Sequence, residues 1–315
     1  MRDGKKLRFF KIQRTRIIFS YDYYVGISAS NAYQAFDIMK YKKIRDRLIK
    51  ENLIRRKHIF VPDMVSYEDM ALVHEEDYLK KVKDPIMVAQ MLRIGNADPW
   101  DSYMFEFFRT VTGGTILAAE HVLKRGGIVF NLGGGFHHAQ RDRAAGFCLI
   151  NDVAIAIEKV RLKYDLSKIL IIDLDYHQGD GNLEFYRDNN DVFTFSMHAT
   201  KWLEIKKEKN IDILLPHNVS GDEYMDILKS NLEPVFDSFE PEFVVYIAGS
   251  DPYEHDTLCD LNLSREEMLE RNLYVKNLVN SRKLPLVVVA GGGYGPESWK
   301  IYYDFIATTL RGKIK

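Results

Sequence analysis

The stretch KILIIDLDYH, residues 168–177, joins the pattern of a buried strand to residue types that bind metal ions. Its first half is apolar and rich in β-branched residues, which is typical of a strand covered on both faces. Asp173, Asp175 and His177 then alternate, so an extended chain would project them from one face. Two carboxylates and an imidazole would share one buried volume and would need a cation or hydrogen-bonding partners.

Three other segments have the same apolar strand pattern, and each runs into a glycine-containing turn with polar groups. The strand patterns are GIVFNL (127–132), EFVVYIA (242–248) and LPLVVVA (284–290), and the turns are GGGFHHA (133–139), GSDPYEH (249–255) and GGGYGP (291–296). In an open parallel sheet, ligands bind beyond the carboxyl ends of the strands. The turns therefore predict one shared site.

Helical patterns alternate with these strands. Apolar residues recur at helical spacing in residues 37–51, 113–125 and 152–163, and Ser264 with Glu267 predicts a capping box. The segment 201–218 is polar and irregular, and we expect a long surface loop that borders the site. Alternating strands and helices predict an α/β fold with a mainly parallel central sheet and helices on both faces.

Composition narrows the function classes. The 315 residues, 46% of them hydrophobic, suit one large domain, and the 44 basic and 45 acidic residues give no general footprint for nucleic acid. No apolar run approaches the roughly 20 residues of a membrane span. Two cysteines suit a reducing compartment, so we expect a cytoplasmic protein without membrane or nucleic-acid partners. The basic residues 1–16 predict a solvated tail, with a targeting or binding arm as the alternative.

A metal site is one interpretation of the acidic strand end. Asp175, His177 and Asp251 would supply one nitrogen and two carboxylate oxygens and leave a position for water, as in an open catalytic zinc site. The alternative is a buried ion-pair network with arginine or lysine. Two carboxylates would neutralise most of a divalent charge, so a general base would help to activate water.

The histidine pair supplies candidates for that base. His137 and His138 follow glycines that let the backbone turn sharply, and a neutral imidazole can take up and return a proton. Asp173 and Asp180 could orient the imidazoles, and Tyr294 could stabilise a developing oxyanion. The alternative role for these histidines is as structural hydrogen-bond donors.

Together these segments resemble the histone deacetylase superfamily. GGGFHHA, GFCLINDVAIA, DLDYHQGDGN, GSDP and GGGYGP occur in the order of that family, from about Ile17 to the C-terminus. AFDIMKYKKIRDRL and the HQG at 177–179 are most similar to the class IV branch and its bacterial relatives. The resemblance implies a single catalytic domain, 17–315, with the arginase/deacetylase fold. It also implies an amidohydrolase that removes an acyl group, expected to be acetyl, from lysine side chains.

The resemblance also implies roles for individual residues. The ligands of Zn²⁺, with Fe²⁺ as the alternative, would be Asp175, His177 and Asp251. The general base would be His138, oriented by Asp180, and His137 with Asp173 would assist it electrostatically. Tyr294 would polarise the carbonyl group of the substrate. Gly146 and Phe147 would line the substrate channel. A structural potassium ion is implied at Asp173, Asp175, His177, Ser196 and Met197.

Several positions depart from the family pattern. Gln178 replaces a second histidine found in many members, and Thr257 and Cys259 replace an arginine and a glycine. The loop 201–220 matches no familiar rim sequence, so one channel wall is unassigned. The substrate could be an acylated lysine in a protein or peptide, or an acetylated small amine. A catalytically silent acyl-lysine binding module is the other alternative, although no catalytic position is missing.

Two further patterns have ordinary structural explanations. His74-Glu75 begins like an HExxH zinc motif, but Tyr78 stands in the place of the second histidine, so we expect an ordinary helix end. Cys148 lies within the GFC motif, and we expect a small buried core thiol.

Overall fold

One parallel sheet forms the centre of the computed structural model, which describes residues 15–24, 37–92, 102–204 and 209–312. Its strands are β1 Arg16–Ile18, β2 Ile59–Phe60, β3 Ile128–Asn131, β4 Ile169–Asp173, β5 Val192–His198, β6 Asn210–Leu214, β7 Phe243–Ile247 and β8 Leu286–Val289. Their order across the sheet is β2-β1-β3-β8-β7-β4-β5-β6. Residues 1–14, most of the expected basic tail, lie outside the described residues, and Arg16 already belongs to β1.

Helices cover both faces of the sheet. They are α1 Lys40–Lys50, α2 Tyr67–Met70, α3 Glu76–Lys81, α4 Pro85–Met91, α5 Ser102–Arg125, α6 Asp152–Tyr164, α7 Asp180–Phe185, α8 Gly221–Phe239, α9 Arg265–Ser281 and α10 Ser298–Arg311. Every residue of β3, β4, β7 and β8 is buried, which confirms the predicted α/β architecture. No helix in the described ranges is long and apolar enough to cross a bilayer.

The predicted helices are present, and one is longer than expected. Residues 113–125 form only the second half of α5, because Gly113 and Gly114 continue the helix instead of preceding it. A Cβ at Gly113 would lie 1.8 Å from the carbonyl oxygen of Asp63, so close packing requires glycine there. The capping box of α9 is confirmed, with the Ser264 amide donating to Glu267 at 2.7 Å.

The prediction of a long loop at 201–218 is wrong in part. Asn210–Leu214 forms the edge strand β6, which pairs in parallel with β5. The polar residues that suggested a loop find partners on β5: Thr194 donates to Asn210 at 2.9 Å, and His198 pairs with Asp212 at 2.9 Å. These side-chain contacts override the low strand propensity of asparagine and aspartate.

The register of the sheet aligns the strand ends. Asp173 at the end of β4 pairs with Ile247 of β7, and Ile247 pairs with Val289 of β8. The turns that follow these strands therefore begin at one level on the same edge of the sheet. The turn after β3 joins them, since β3 lies beside β8.

Candidate active site

An open cavity of about 430 Å³ lies at this edge, and residues of the turns after β3, β4 and β8 contribute to its lining. Its lining includes six of the residues predicted for the site: His137, His138, Gly146, Phe147, Asp175 and Tyr294. Three of the four predicted turns therefore line one cavity, and the turn after β7 adjoins it through Gly249, which lies beside Asp175.

A buried carboxylate shapes the turn that carries the two histidines. Asp152, at the start of α6, accepts the backbone N–H groups of Gly135 at 3.1 Å and Phe136 at 2.7 Å. It also accepts the hydroxyl of Thr115 at 2.6 Å. Gly135 has φ +89°, and a Cβ there would lie 2.8 Å from the backbone of Gly291. The sharp turn at the glycines was expected from the sequence, whereas the role of Asp152 was not. The only signal for Asp152 was its place in the GFCLINDVAIA motif.

The two histidines have separate acidic partners. Nδ1 of His138 lies 2.6 Å from Asp180, and Nδ1 of His137 lies 2.7 Å from Asp173. Burial and the neighbouring His137 lower the pKa of His138 to about 4. Although burial opposes it, the carboxylates of Asp173 and Asp175 raise the pKa of His137 to about 9. Near neutral pH the pair therefore consists of a neutral imidazole beside a charged one.

His74 fixes the chain on the far side of the histidine pair. The amide of Asn151 donates to its Nε2 at 3.0 Å, so Nδ1 carries the proton and donates to the carbonyl of Gln140 at 2.8 Å. The Gln140 side chain in turn donates to Asp180 at 3.1 Å. His74 follows the end of α2, and its buried ring joins Gln140 to Asn151, a role that the sequence pattern did not indicate.

Asp175, His177 and Asp251 converge on one point. Nδ1 of His177 lies 3.3 Å from Oδ1 of Asp175 and 3.2 Å from Oδ2 of Asp251. Ligands at zinc distance in a tetrahedral site are about 3.3 Å apart, so the donors are spaced for a metal ion. β4 ends at Asp173, earlier than the sequence pattern predicted, and the two later residues lie just beyond it.

The alternative of a buried ion-pair network requires lysine or arginine side chains in contact with these carboxylates. Asp175 and Asp251 are both buried, and in the described part of the chain neither forms an ion pair with lysine or arginine. Burial and the adjacent Asp175 raise the pKa of Asp251 to about 7. A divalent cation would relieve this repulsion.

Glycine backbones enclose the donor set. A Cβ on Gly249 would lie 2.5 Å from Oδ2 of Asp175, and a Cβ on Gly292 would lie 2.4 Å from Oδ2 of Asp251. The amide of Gly292 also donates to Asp175 at 2.6 Å. The space beside the carboxylates is therefore kept free of side chains, and the residues present fit a bound metal ion.

The two cysteines occupy different surroundings. Cys148 is buried in the core beside the cavity, as predicted. The sulfur of Cys259, one ring nitrogen of His177 and one oxygen of Asp251 all lie within 4.8 Å of one another. Burial raises the pKa of the Cys259 thiol, which keeps it protonated in this structure. Cys259, which replaces a glycine of the family pattern, therefore places a thiol beside the donor set.

Tyr294 is positioned through its own backbone. Its amide donates to Asp256 at 2.7 Å, and its ring centre lies 6.1 Å from that of His177 and 6.2 Å from that of Phe147. Phe147 is 44% exposed at the mouth of the cavity. Gly146 precedes it with φ +50°, and a Cβ there would lie 2.1 Å from the ring of His138.

Gln178 and Trp202 form a part of the site that sequence analysis left unassigned. The side-chain oxygen of Gln178 accepts the amides of Trp202 at 2.8 Å and Leu203 at 2.7 Å, and its nitrogen donates to Asp212 at 2.9 Å. The indole ring lies 4.5 Å from the ring of His138 and is 52% exposed. The one available signal was Gln178 itself, noted as a departure from the family.

The residues implied for potassium binding meet where β4 and β5 end. Asp173 pairs with Ser196 across the two strands, and Met197 follows on β5. The hydroxyl oxygen of Ser196 is buried and has no hydrogen-bond partner within the described ranges. An unsatisfied buried hydroxyl is costly, so this position fits a bound cation with oxygen ligands.

Comparison with known proteins agrees with this geometry. The histone deacetylase domain model matches residues 34–309. The chain belongs to the histone deacetylase family. Histone deacetylase 2 of Arabidopsis thaliana is 30% identical over 309 residues, which cover 95% of this chain and 80% of that protein. The acetoin utilization protein AcuC of Staphylococcus aureus (strain MSSA476) is 31% identical over 290 residues, covering 84% of this chain and 73% of that protein.

Solved structures extend the family relationship to the fold. An HDAC homolog from Aquifex aeolicus superposes with a TM-score of 0.80 at 30% identity, covering 95% of this chain and 84% of that one. An HDAC homolog complexed with SAHA has the same TM-score at 31% identity and the same coverage. The histone deacetylase family is metal-dependent and acts on acetylated substrates, so this member is a hydrolase of the deacetylase type.

Proposed function

We propose that this chain is a zinc-dependent lysine deacylase that removes acetyl groups from lysine side chains of proteins or peptides. One observation carries the proposal. His138, held by Asp180, lies with its ring centre 5.8 Å from that of His177, beside the donor set of Asp175, His177 and Asp251, and both His138 and Asp175 line the cavity. A general base next to a three-ligand metal site is the arrangement of catalytic groups that metal-dependent hydrolysis of an amide requires.

The donor set favours zinc as the resident ion. One imidazole and two carboxylates suit Zn²⁺, and Fe²⁺ accepts the same ligands. When bound, the metal would polarise the acyl carbonyl and make a water molecule more acidic. The buried hydroxyl of Ser196, near Asp173 and Met197, supports a second, structural potassium ion. Asp175 and His177 would complete the binding site of this potassium ion.

The histidine pair would move the protons. With Nδ1 of His138 bound to Asp180, Nε2 is left to accept a proton from water as its oxygen adds to the acyl carbon. The same nitrogen then returns the proton to the lysine nitrogen when the C–N bond breaks, and the second proton of the water passes from the carboxylic acid to the released amine, which gives a carboxylate and a lysine ammonium group. His137 stays charged beside Asp173 and stabilises negative charge on the reacting group.

Aromatic residues would bind the substrate around these groups. Tyr294 would donate to the oxyanion, and Phe147 beside it, next to Gly146, would form one wall of the channel. Trp202, over His138, would form the second wall. Two aromatic faces suit the linear methylene chain of an acyl-lysine. The similar structure complexed with SAHA supports ligand binding by this fold.

Metal analysis combined with deacylation assays tests the proposal. We expect one zinc ion per chain and hydrolysis of acetyl-lysine peptides in preference to peptides with longer acyl chains and to N-acetylated polyamines. Asp251→Ala should lose the metal, and Tyr294→Phe should lower kcat about 10²- to 10³-fold. Asp237→Ala and Tyr274→Phe, both remote from the cavity, are the matched controls.

Three outcomes would overturn the proposal. Binding of acetyl-lysine peptides without turnover would instead support a silent binding module. Preferred hydrolysis of acetylpolyamines would move the substrate to a small amine. Unchanged rates for both active-site variants would exclude the mechanism.

A further inference from the structure

Arg271, in the middle of α9, is a fully buried cation with no role in the proposed chemistry. Its side chain is 0% exposed and is among the largest fully buried side chains of the protein. It forms no ion pair with any carboxylate of a described residue. Burying an unpaired guanidinium is costly, so the contacts that hold it there need an explanation.

The guanidinium joins the two strand ends that carry the carboxylate ligands. Its Nη1 donates to the carbonyl of Leu174 at 3.0 Å, and its Nη2 donates to the carbonyl of Gly249 at 2.8 Å. Leu174 immediately precedes Asp175, and Gly249 comes two residues before Asp251. One planar group therefore bridges the backbone just beyond the end of β4 and the backbone just beyond the end of β7, where both segments enter the site.

Neighbouring side chains fix the orientation of this bridge. Nε and Nη2 of Arg271 donate to the side-chain oxygen of Asn272 at 3.2 and 3.0 Å. The same oxygen accepts the hydroxyl of Tyr246, which lies on β7, at 2.6 Å. A rigid guanidinium fork held in this way has little freedom to follow a movement of one strand end without the other.

The charge of Arg271 also suits the site. Although burial opposes it, Tyr246, Tyr224 and Asp251 raise the pKa of Arg271, so the guanidinium stays charged. It faces the backbone side of a region that holds two buried carboxylates. Its positive charge therefore lowers the repulsion between Asp175 and Asp251 before any metal binds.

We propose that Arg271 is a positioning residue of the metal site, which holds Asp175 and Asp251 at ligand spacing and thereby increases the affinity for the metal. The inference rests on the proposed metal-dependent function. It adds that part of the metal affinity comes from α9, a helix that contributes no ligand. Residues that orient metal ligands from behind commonly change affinity 10- to 100-fold when they are replaced.

Zinc affinity of Arg271 variants tests this role. Arg271→Lys keeps the charge but loses the fork, and Arg271→Met removes both. Arg45→Lys is the matched control, because Arg45 is also buried but lies on α1, where it donates to Tyr21. Dissociation constants for the zinc ion are measured by competition with a chromophoric chelator. The melting temperature of each metal-free protein and the visible spectrum of each cobalt-substituted protein are recorded alongside.

The proposal predicts that zinc binding weakens about 10- to 100-fold in Arg271→Met and by less in Arg271→Lys, with an altered cobalt spectrum in both. Arg45→Lys should bind zinc as the wild type does. If the Arg271 variants melt earlier without metal but bind zinc with wild-type affinity, Arg271 only stabilises the fold and the proposal is wrong. If Arg271→Met does not fold, Arg271→Lys alone decides the question. A wild-type protein that binds no zinc would overturn the proposed function itself.

Discussion

The side-chain oxygen of Gln178 accepts the backbone N–H of Trp202 at 2.8 Å, and this bond places an indole ring over the candidate general base. Gln178 directly follows His177, so one residue binds the proposed metal and the next holds a proposed channel wall. The pair connects the spacing of the metal site to the width of the opening above it. A glutamine that differs from the usual histidine at this position therefore has a defined structural partner.

Gln178→Ala should raise KM for an acetyl-lysine peptide. The substitution removes hydrogen bonds to Trp202, Leu203 and Asp212, each worth about 1 kcal/mol, so an increase of about 10- to 100-fold is expected. Steady-state kinetics measure it. Trp202→Ala should reproduce the effect, and the double variant should be no worse than Trp202→Ala. Independent, additive effects would show that Gln178 does not act through the indole.

Replacement of the two histidines should have unequal effects. His138→Ala removes the proposed general base and should lower kcat about 10²- to 10⁴-fold. His137→Ala removes a charge rather than a proton acceptor and should retain more activity. Asp180→Asn should fall between the wild type and His138→Ala, because it leaves the imidazole but weakens its orientation. Equal losses for both histidines would contradict the assignment. His121→Ala, on the outer part of α5, is a matched control.

Gly292→Ala should lower the metal content of the purified protein. A Cβ at this position would lie 2.4 Å from Oδ2 of Asp251 and 2.8 Å from Oδ2 of Asp175, so one carboxylate has to move. Elemental analysis of protein purified with equimolar zinc measures the change. At Gly312 a new Cβ meets only ordinary contacts at 3.5 Å, so Gly312→Ala should leave metal content unchanged. Full occupancy in Gly292→Ala would show that the glycine is not needed beside the ligands.

Acid should destabilise the protein partly through His74. Burial lowers its pKa from 6.5 to about 4, so the neutral form is favoured by folding. The neutral imidazole therefore contributes about 3 kcal/mol to the free energy of unfolding. This contribution is complete above pH 6.5 and is lost as the pH falls toward 4. Denaturant unfolding of the wild type and His74→Gln at pH 4 to 7 measures it. The difference between the two proteins should shrink as the pH falls. A constant difference would show that His74 does not titrate with unfolding.

Metal removal should lower the melting temperature and abolish activity together. The buried carboxylates of Asp175 and Asp251 repel each other without a cation, so chelation destabilises the strand ends that carry them. A ligand present at 100 times its Kd stabilises a fold by about 2.7 kcal/mol. Calorimetry before and after chelation, with zinc added back, measures the effect. In Asp251→Ala the melting temperature should no longer respond to zinc, and a retained response would place the metal elsewhere.

Much of the fold could be predicted from local patterns in the sequence. The apolar runs that became β3, β4, β7 and β8 had no solvent-facing alternation, and the turns after them held the polar groups of the cavity. The strand β6 was missed because its polar residues are satisfied by partners on β5 and by Gln178, contacts that no local pattern reports. The first half of α5 was missed because the glycines inside the helix resemble a boundary.

The proposed chemical groups were visible in the sequence, as were Asp173 and Asp180 behind the histidines, whereas other residues that position the site were not. His137, His138, Asp175 and Tyr294 stood out by type and spacing, and the structure brings them to one cavity. Arg271, like Asp152, His74 and Trp202, acts through contacts with segments far away in sequence. No sequence pattern indicated these contacts, so only the folded chain identifies the positions that make them.

The groups around the cavity come from four adjacent strands, and they follow β3, β4, β7 and β8 in chain order. During synthesis the histidine pair emerges first, the three proposed metal ligands are complete only at Asp251, and Tyr294 follows last. A growing chain could therefore take up its metal while its proposed oxyanion donor was still being made. Catalysis would begin only when β8 enters the sheet between β3 and β7, because Tyr294 follows β8. The appearance of activity would therefore indicate that β8 has paired with its two neighbours.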